Sequence, residues 1–237
     1  MRLFVFVPTK IILSGEHFVV YGSPGLSLPV NKRNVISFQT TKGKGEIIFQ
    51  SGERKAVFFK NRFLGHRDFK IFLPLLEFFF KKEKLEEKIK IIFLSKNIPK
   101  GLGSSSSLSI ALSFAFFKYF KKKPKKENLF HCAQLVDEIA HGGKPSGIDA
   151  QTIIQGKPQL FQKKFSPLRF YFKNIKIDFP LNTSLLVVDT FKGKRETTGK
   201  LIKKFALAHS IFKKPEEMEE KERKKIFKDY LPIFRKI

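Results

Sequence analysis

Three short segments hold residues whose types and spacing suit phosphate chemistry. Residues 101–107 read GLGSSSS and run straight into LSIALSFAFF, so a glycine- and serine-rich loop opens an apolar helix. Glycines let the backbone approach a ligand. The unpaired N–H groups of a first helical turn, with the positive end of the helix dipole, point at an anion placed there. The spacing is not GxxxxGK[ST], so the usual nucleotide-binding lysine is absent and a phosphate site of another architecture is expected. Taken alone, a Ser/Gly run is equally a linker, and Ser104 to Ser107 are equally helix N-caps.

The second segment, residues 8–22, is PTKIILSGEHFVVYG and places Lys10, Glu16 and His17 between apolar runs. The third, residues 137–152, is DEIAHGGKPSGIDAQT, where two acids at a helix end precede a glycine-rich bend and Asp149. Asp149 reads either as a helix cap or as a base held beside the phosphate loop, with Asp137 or Glu138 facing a metal. Magnesium suits such a place, because it takes few protein oxygens and keeps its phosphate ligands.

The elements around these segments follow from the hydrophobic pattern. Residues 3–7 read as a buried strand, followed by a proline-containing turn and the apolar triplet IIL. VISF, EIIF and AVFF are short strands, with TTKGKG and QSGERK as hairpin loops between them. A helix is expected over 69–80, a strand over 90–94, then the loop with its helix, and after KKKPKKEN a second helix over 129–140. Strand patterning restarts after 163–167, so the chain divides into residues 1–165 and 166–237, with α+β character.

The 237 residues, 42% of them hydrophobic, suffice for a real core. No uninterrupted apolar run reaches the length of a membrane span, no secretory signal is apparent, and the lone Cys132 excludes an internal disulfide. A cytoplasmic protein without a membrane partner is the resulting expectation. The net charge of +26 is spread along the chain and accompanies 29 Phe and no Trp, which reads as a codon bias and a solvated lysine surface rather than a nucleic-acid footprint.

Together the segments resemble the motifs of the GHMP kinases, and within them those of mevalonate kinases: PGKVIL-x-GEHAVVYG, GLGSSA and HGxPSGID, in collinear order. The resemblance implies an α+β, two-domain GHMP kinase-like fold, with residues 1–165 as a complete N-terminal domain and 166–237 as a truncated second one. It also implies ATP and Mg²⁺, with (R)-mevalonate as acceptor and 5-phosphomevalonate as product. By position, Asp149 resembles the catalytic base and Lys10 its electrostatic partner, while Glu16 and His17 line the acceptor pocket. Backbone amides of Gly101, Leu102, Gly103, Ser104, Ser105 and Ser106 would cradle the phosphates, and Ser105 would bind the metal.

Three departures stand out. Thr9 replaces a glycine of PGK, the stretch between Pro99 and Leu102 is short, and an extra glycine in HGGKPSGID leaves the metal acid open: counting back from Asp149 selects Glu138, counting back from His141 selects Asp137. Glu138 is preferred for its longer side chain. No glycine follows Gly199, although the family carries a GAGGGG-type motif near its C-terminus. The expectation is that a separate polypeptide supplies that part. Other GHMP kinases of phosphomevalonate or a sugar, and a non-catalytic GHMP-like binding subunit, are the rival readings.

Overall fold

The computed structural model describes residues 1–16, 18–81, 85–95, 98–99, 101–143, 145–165, 168–178 and 217–225. Strands β1 (Arg2–Ser14) and β2 (Gly25–Lys42) form a long antiparallel pair. They are followed by β3 (Glu46–Ser51), β4 (Arg54–Phe59) and β5 (Arg62–Gly65). A 3₁₀ turn, Arg67–Phe72, leads into α1 (Leu73–Phe80), then β6 (Glu87–Phe93) and α2 (Ser104–Tyr119). The remainder comprises α3 (Lys126–His141), α4 (Ile148–Gln155), β7 (Gln159–Phe165) and β8 (Leu168–Asn174). All eight strands form one mixed sheet in the order β5-β4-β3-β6-β2-β7-β8, with β1 paired to β2.

Alternation along the strands sets the layers. Val5, Val7, Ile36, Phe38, Ile47, Phe49, Ile89 and Ile91 point to one face, where α1, α2 and α3 cover them in a single core. Phe4 and Phe6, between the inward residues of β1, are exposed. Helix α2 is buried for most of its length, and its buried serines, Ser106, Ser107, Ser109 and Ser113, allow close packing because their hydroxyls have partners. Ser107 Oγ donates to Val7 O, Ser109 Oγ to Cys132 O and Ser113 Oγ to Ser109 O.

Several expectations are corrected. Pro8 makes no turn; β1 runs through it, and the missing N–H is accommodated by a register shift between Pro8 and Thr9. TTKGKG is not a hairpin loop, because β6 lies between β2 and β3 and pairs parallel with β3, whereas QSGERK does join the antiparallel β3 and β4. The helix expected from 129 starts at Lys126, since the lysines after Pro124 are compatible with a first turn. Strands β7 and β8 pair as far as Phe165 and Leu168, and the described sheet continues to Asn174. Of the segment 166–237, residues 179–216 and 226–237 lie outside the described residues. Among the described residues no helix is long and apolar enough to cross a membrane.

Candidate active site

The site forms where the end of β1, the start of α2 and the start of α4 meet. Lys10 is 3% exposed and its Nζ lies 3.0 Å from Asp149 Oδ1. The same ammonium donates to Gly101 O at 3.1 Å, and the Lys10 backbone N–H donates to Leu102 O at 3.0 Å. One residue thus ties the loop to the strand and the acid to the loop. Asp149 sits in the first turn of α4, whose dipole favours a carboxylate there, and remains 20% exposed, accessible to a reactant. It is not the cap of that helix, because Gly147 occupies the cap position.

Gly103 caps α2 with a left-handed φ of 69° and no side-chain cap bond, so the serines that follow do not cap the helix as their type suggested. The hydroxyls of Ser105, Ser106 and Ser107 turn to Asp137 and Val7, and the first-turn amides take no side-chain cap. A Cβ on Gly103 would stand 2.9 Å from Lys10 Cε and 3.3 Å from Asp149 Oδ2. Gly103→Ala is therefore expected to cost about 1–2 kcal/mol for the left-handed backbone alone and to push the ion pair apart. Melting curves should show it as a fall of about 2–8 °C.

Behind the loop, Ser105 Oγ donates to Asp137 Oδ1 at 2.7 Å and Ser106 Oγ donates to Asp137 Oδ2. Asp137 is 2% exposed, and burial first, then the neighbouring charge of Asp149, push its carboxyl up to about 6, against the pull of the two serines and His141. The structure separates the two acids: one residue further along α3 is a rotation of about 100°, which turns Glu138 to the exposed face while Asp137 meets the serines. A buried carboxylate held at this cost, with serine hydroxyls alongside, suits a cation. Among the described residues no group of three or more His, Cys, Asp or Glu forms a cage of its own. A carboxylate with hydroxyl oxygens beside it is a donor set of the type magnesium takes.

Glu16 is exposed in the loop after β1, and His17 lies outside the described residues, so neither is brought to Asp149 by an observed contact. Gly15, with φ of 82°, packs that loop so closely on the chain that an added Cβ would meet Gly25 Cα at 2.8 Å. Thr9 explains its own departure from glycine. It takes no positive φ, and its buried hydroxyl donates to Lys32 O at 2.7 Å, closing the bulge at Pro8.

A cleft of about 370 Å³ adjoins the loop and was not foreseen from the motifs. Phe69, Phe72 and Phe93 form its apolar wall, with the Phe72 and Phe93 rings stacked at 5.5 Å. Ile98, just before the loop, and Leu108, in α2, connect it to the phosphate side. Exposed Arg54 and Asp68, paired at 2.7 Å, stand at its edge. The only sequence signal was the position of Ser95 and Ile98 immediately upstream of GLGSSSS.

Residues 70–157 match the GHMP kinases N terminal domain. The chain is 28% identical over 207 residues to a mevalonate kinase of Methanocaldococcus jannaschii, covering 80% of this chain and 62% of that protein. It is 26% identical to a phosphomevalonate kinase of Saccharolobus solfataricus, covering 85% and 61%. A crystal structure of a mevalonate kinase superposes with a TM-score of 0.57 at 26% identity, over 73% of this chain and 56% of the other. The chain spans about three fifths of the length of these two sequence relatives.

Proposed function

From the match of residues 70–157 to the GHMP kinases N terminal domain, and the likeness of the chain to mevalonate kinases, we propose that it is the N-terminal part of an ATP-dependent kinase that converts (R)-mevalonate to 5-phosphomevalonate. The observation that carries the reading is the Lys10–Asp149 ion pair at 3.0 Å, set across left-handed Gly103 at the uncapped start of α2. An acid and a positive charge thus stand together at the start of α2, an arrangement that supports the reading. No lone surface ion pair has that arrangement.

In this reading the first-turn amides of α2 and the loop hold the β- and γ-phosphates. The acceptor hydroxyl oxygen bonds to the γ-phosphorus as its proton passes to Asp149, the bond to the bridging oxygen breaks, and ADP leaves. Lys10 keeps its proton throughout. Its charge steadies the oxygen as negative charge gathers there, and its bond to Gly101 O keeps the loop in register with Asp149. Ser105 and Asp137 would hold Mg²⁺, which when bound offsets phosphate charge. Positioning and charge neutralisation supply most of the acceleration in phosphoryl transfer, so the packed, buried frame around Lys10 matters as much as the base. The cleft beside Leu108 is the place for the nucleotide base.

The relative named as a phosphomevalonate kinase favours a second reading, in which the acceptor already carries a phosphate. A coupled ADP-release assay with mevalonate, phosphomevalonate, homoserine and galactose separates the two. The expected result is the highest kcat/KM on mevalonate; turnover on another member with silence on mevalonate would refute the choice. In the same assay Gly103→Ala is expected to lose kcat, because it displaces both members of the ion pair.

A further inference from the structure

Helix α4 presents Asp149 from a frame of only eight residues, and two side chains one turn apart seat that frame on the sheet. Ile148 packs with Val19 and Phe161, so close over β2 that a Cβ on Gly25 would stand 2.8 Å from its Cδ1. Thr152 follows on the same side of the helix. It meets Ser27, two residues beyond Gly25 on the same face of β2, with the two hydroxyl oxygens 2.5 Å apart. Both residues are fully buried. Thr152 Oγ1 donates its one proton to Ile148 O at 2.7 Å, so the proton between the two hydroxyls comes from Ser27. The relay thus ends on the peptide unit whose nitrogen belongs to Asp149.

A threonine that bonds the carbonyl four residues back is ordinary in a helix, but here a buried hydroxyl 125 residues away in sequence feeds that bond. The relay also starts beside Lys10. Strand β1 shifts register between Pro8 and Thr9 and again between Ile12 and Ser14, and in the stretch between the shifts Lys10 faces Pro29 while Ile12 faces Ser27. Acid and ammonium are therefore referred to one short piece of ladder, Lys10 directly and Asp149 through the two hydroxyls. The ion pair alone does not fix this geometry, because a lysine stem is flexible and follows a displaced carboxylate. We propose that Ser27 and Thr152 are positioning residues, which hold Asp149 at the place where it takes the acceptor's proton. The inference rests on the kinase reading, and it adds Ser27, which lies outside all three motif segments.

The test uses the full chain in its native assembly and measures kcat and KM for Ser27→Ala, Thr152→Val and Thr152→Ser. Valine removes the hydroxyl at nearly the same shape; serine keeps it. Ser27→Ala and Thr152→Val are each expected to lower kcat about three- to tenfold, the span of one hydrogen bond, with KM for ATP unchanged. Thr152→Ser should keep most of the wild-type kcat. The double variant should lose no more than Thr152→Val alone, and Thr152→Val should add nothing to Asp149→Asn, where no base is left to aim. Nitrogen-15 NMR reads the placement without the reaction. The buried Lys10 ammonium, held by Asp149 and Gly101 O, should give a protected signal that Thr152→Val shifts or broadens and Thr152→Ser keeps. Melting curves check folding, and if Thr152→Val does not fold, Ser27→Ala decides. Wild-type kcat with an unmoved Lys10 signal in a folded variant, or an equal loss with and without the Asp149 carboxylate, would overturn the proposal and leave the kinase reading standing. A wild type that transfers phosphate to no acceptor, with a Lys10 signal that still moves in Thr152→Val, would overturn the kinase reading and leave the placement of Asp149.

Discussion

Asp149→Asn is expected to lower kcat by about 10²–10⁴-fold while ATP affinity stays within a few-fold. Asparagine keeps the volume and an oxygen that can accept from Lys10, but it cannot take the hydroxyl proton. The loop amides and the cleft, which hold the nucleotide in this account, lie outside the change. Folding needs its own check, because Lys10 is 3% exposed and losing the opposite charge strands a buried ammonium. Gly101 O continues to accept from that ammonium, which limits the damage. Stopped-turnover assays with parallel melting curves read both. An unchanged rate in a folded variant would mean that Asp149 only anchors Lys10.

The second large effect has opposite signs for stability and activity. Asp137 is buried, sits near the charge of Asp149, and has its carboxyl pushed up to about 6 from an ordinary value of 3.8. A carboxyl raised in the folded state contributes its full stability below the ordinary value, and that contribution is lost as pH rises from about 4 through about 6. At pH 7.5 the ionised form thus costs on the order of 2–3 kcal/mol. Asp137→Asn removes the charge and can still pair with Ser105 and Ser106. It should melt about 4–12 °C above wild type at pH 7.5 and close to wild type near pH 4. Activity should fall by at least about 10²-fold, since the carboxylate proposed to face the metal is gone. A variant that melts below wild type at both pH values would show that hydrogen bonding, not charge burial, governs this position.

The chemistry was more legible than the topology. Lys10, Asp149 and the GLGSSSS loop announce themselves by residue type and spacing, and the structure brings all three within contact. Asp137 and Glu138 are neighbours in sequence, so counting across an extra glycine does not separate them; the phase of α3 does, because it buries one and exposes the other. The serines look like caps from composition, yet their hydroxyls bond Asp137 and Val7, partners 32, 31 and 100 residues away. The crossover at TTKGKG was hidden for a similar reason. A hairpin and a crossover share the same local turn residues, and only the distant β6 decides between them.

The central claim is that this site moves a phosphoryl group from ATP to the primary hydroxyl of mevalonate. Phosphorus-31 NMR of the chain, in its native assembly, with ATP, Mg²⁺ and (R)-mevalonate reads the transfer directly. The account predicts a growing phosphomonoester signal split by two adjacent protons, matched by ADP, and its loss with Asp149→Asn. ADP and inorganic phosphate with no phosphomonoester, or ATP left intact in the presence of mevalonate, would contradict it.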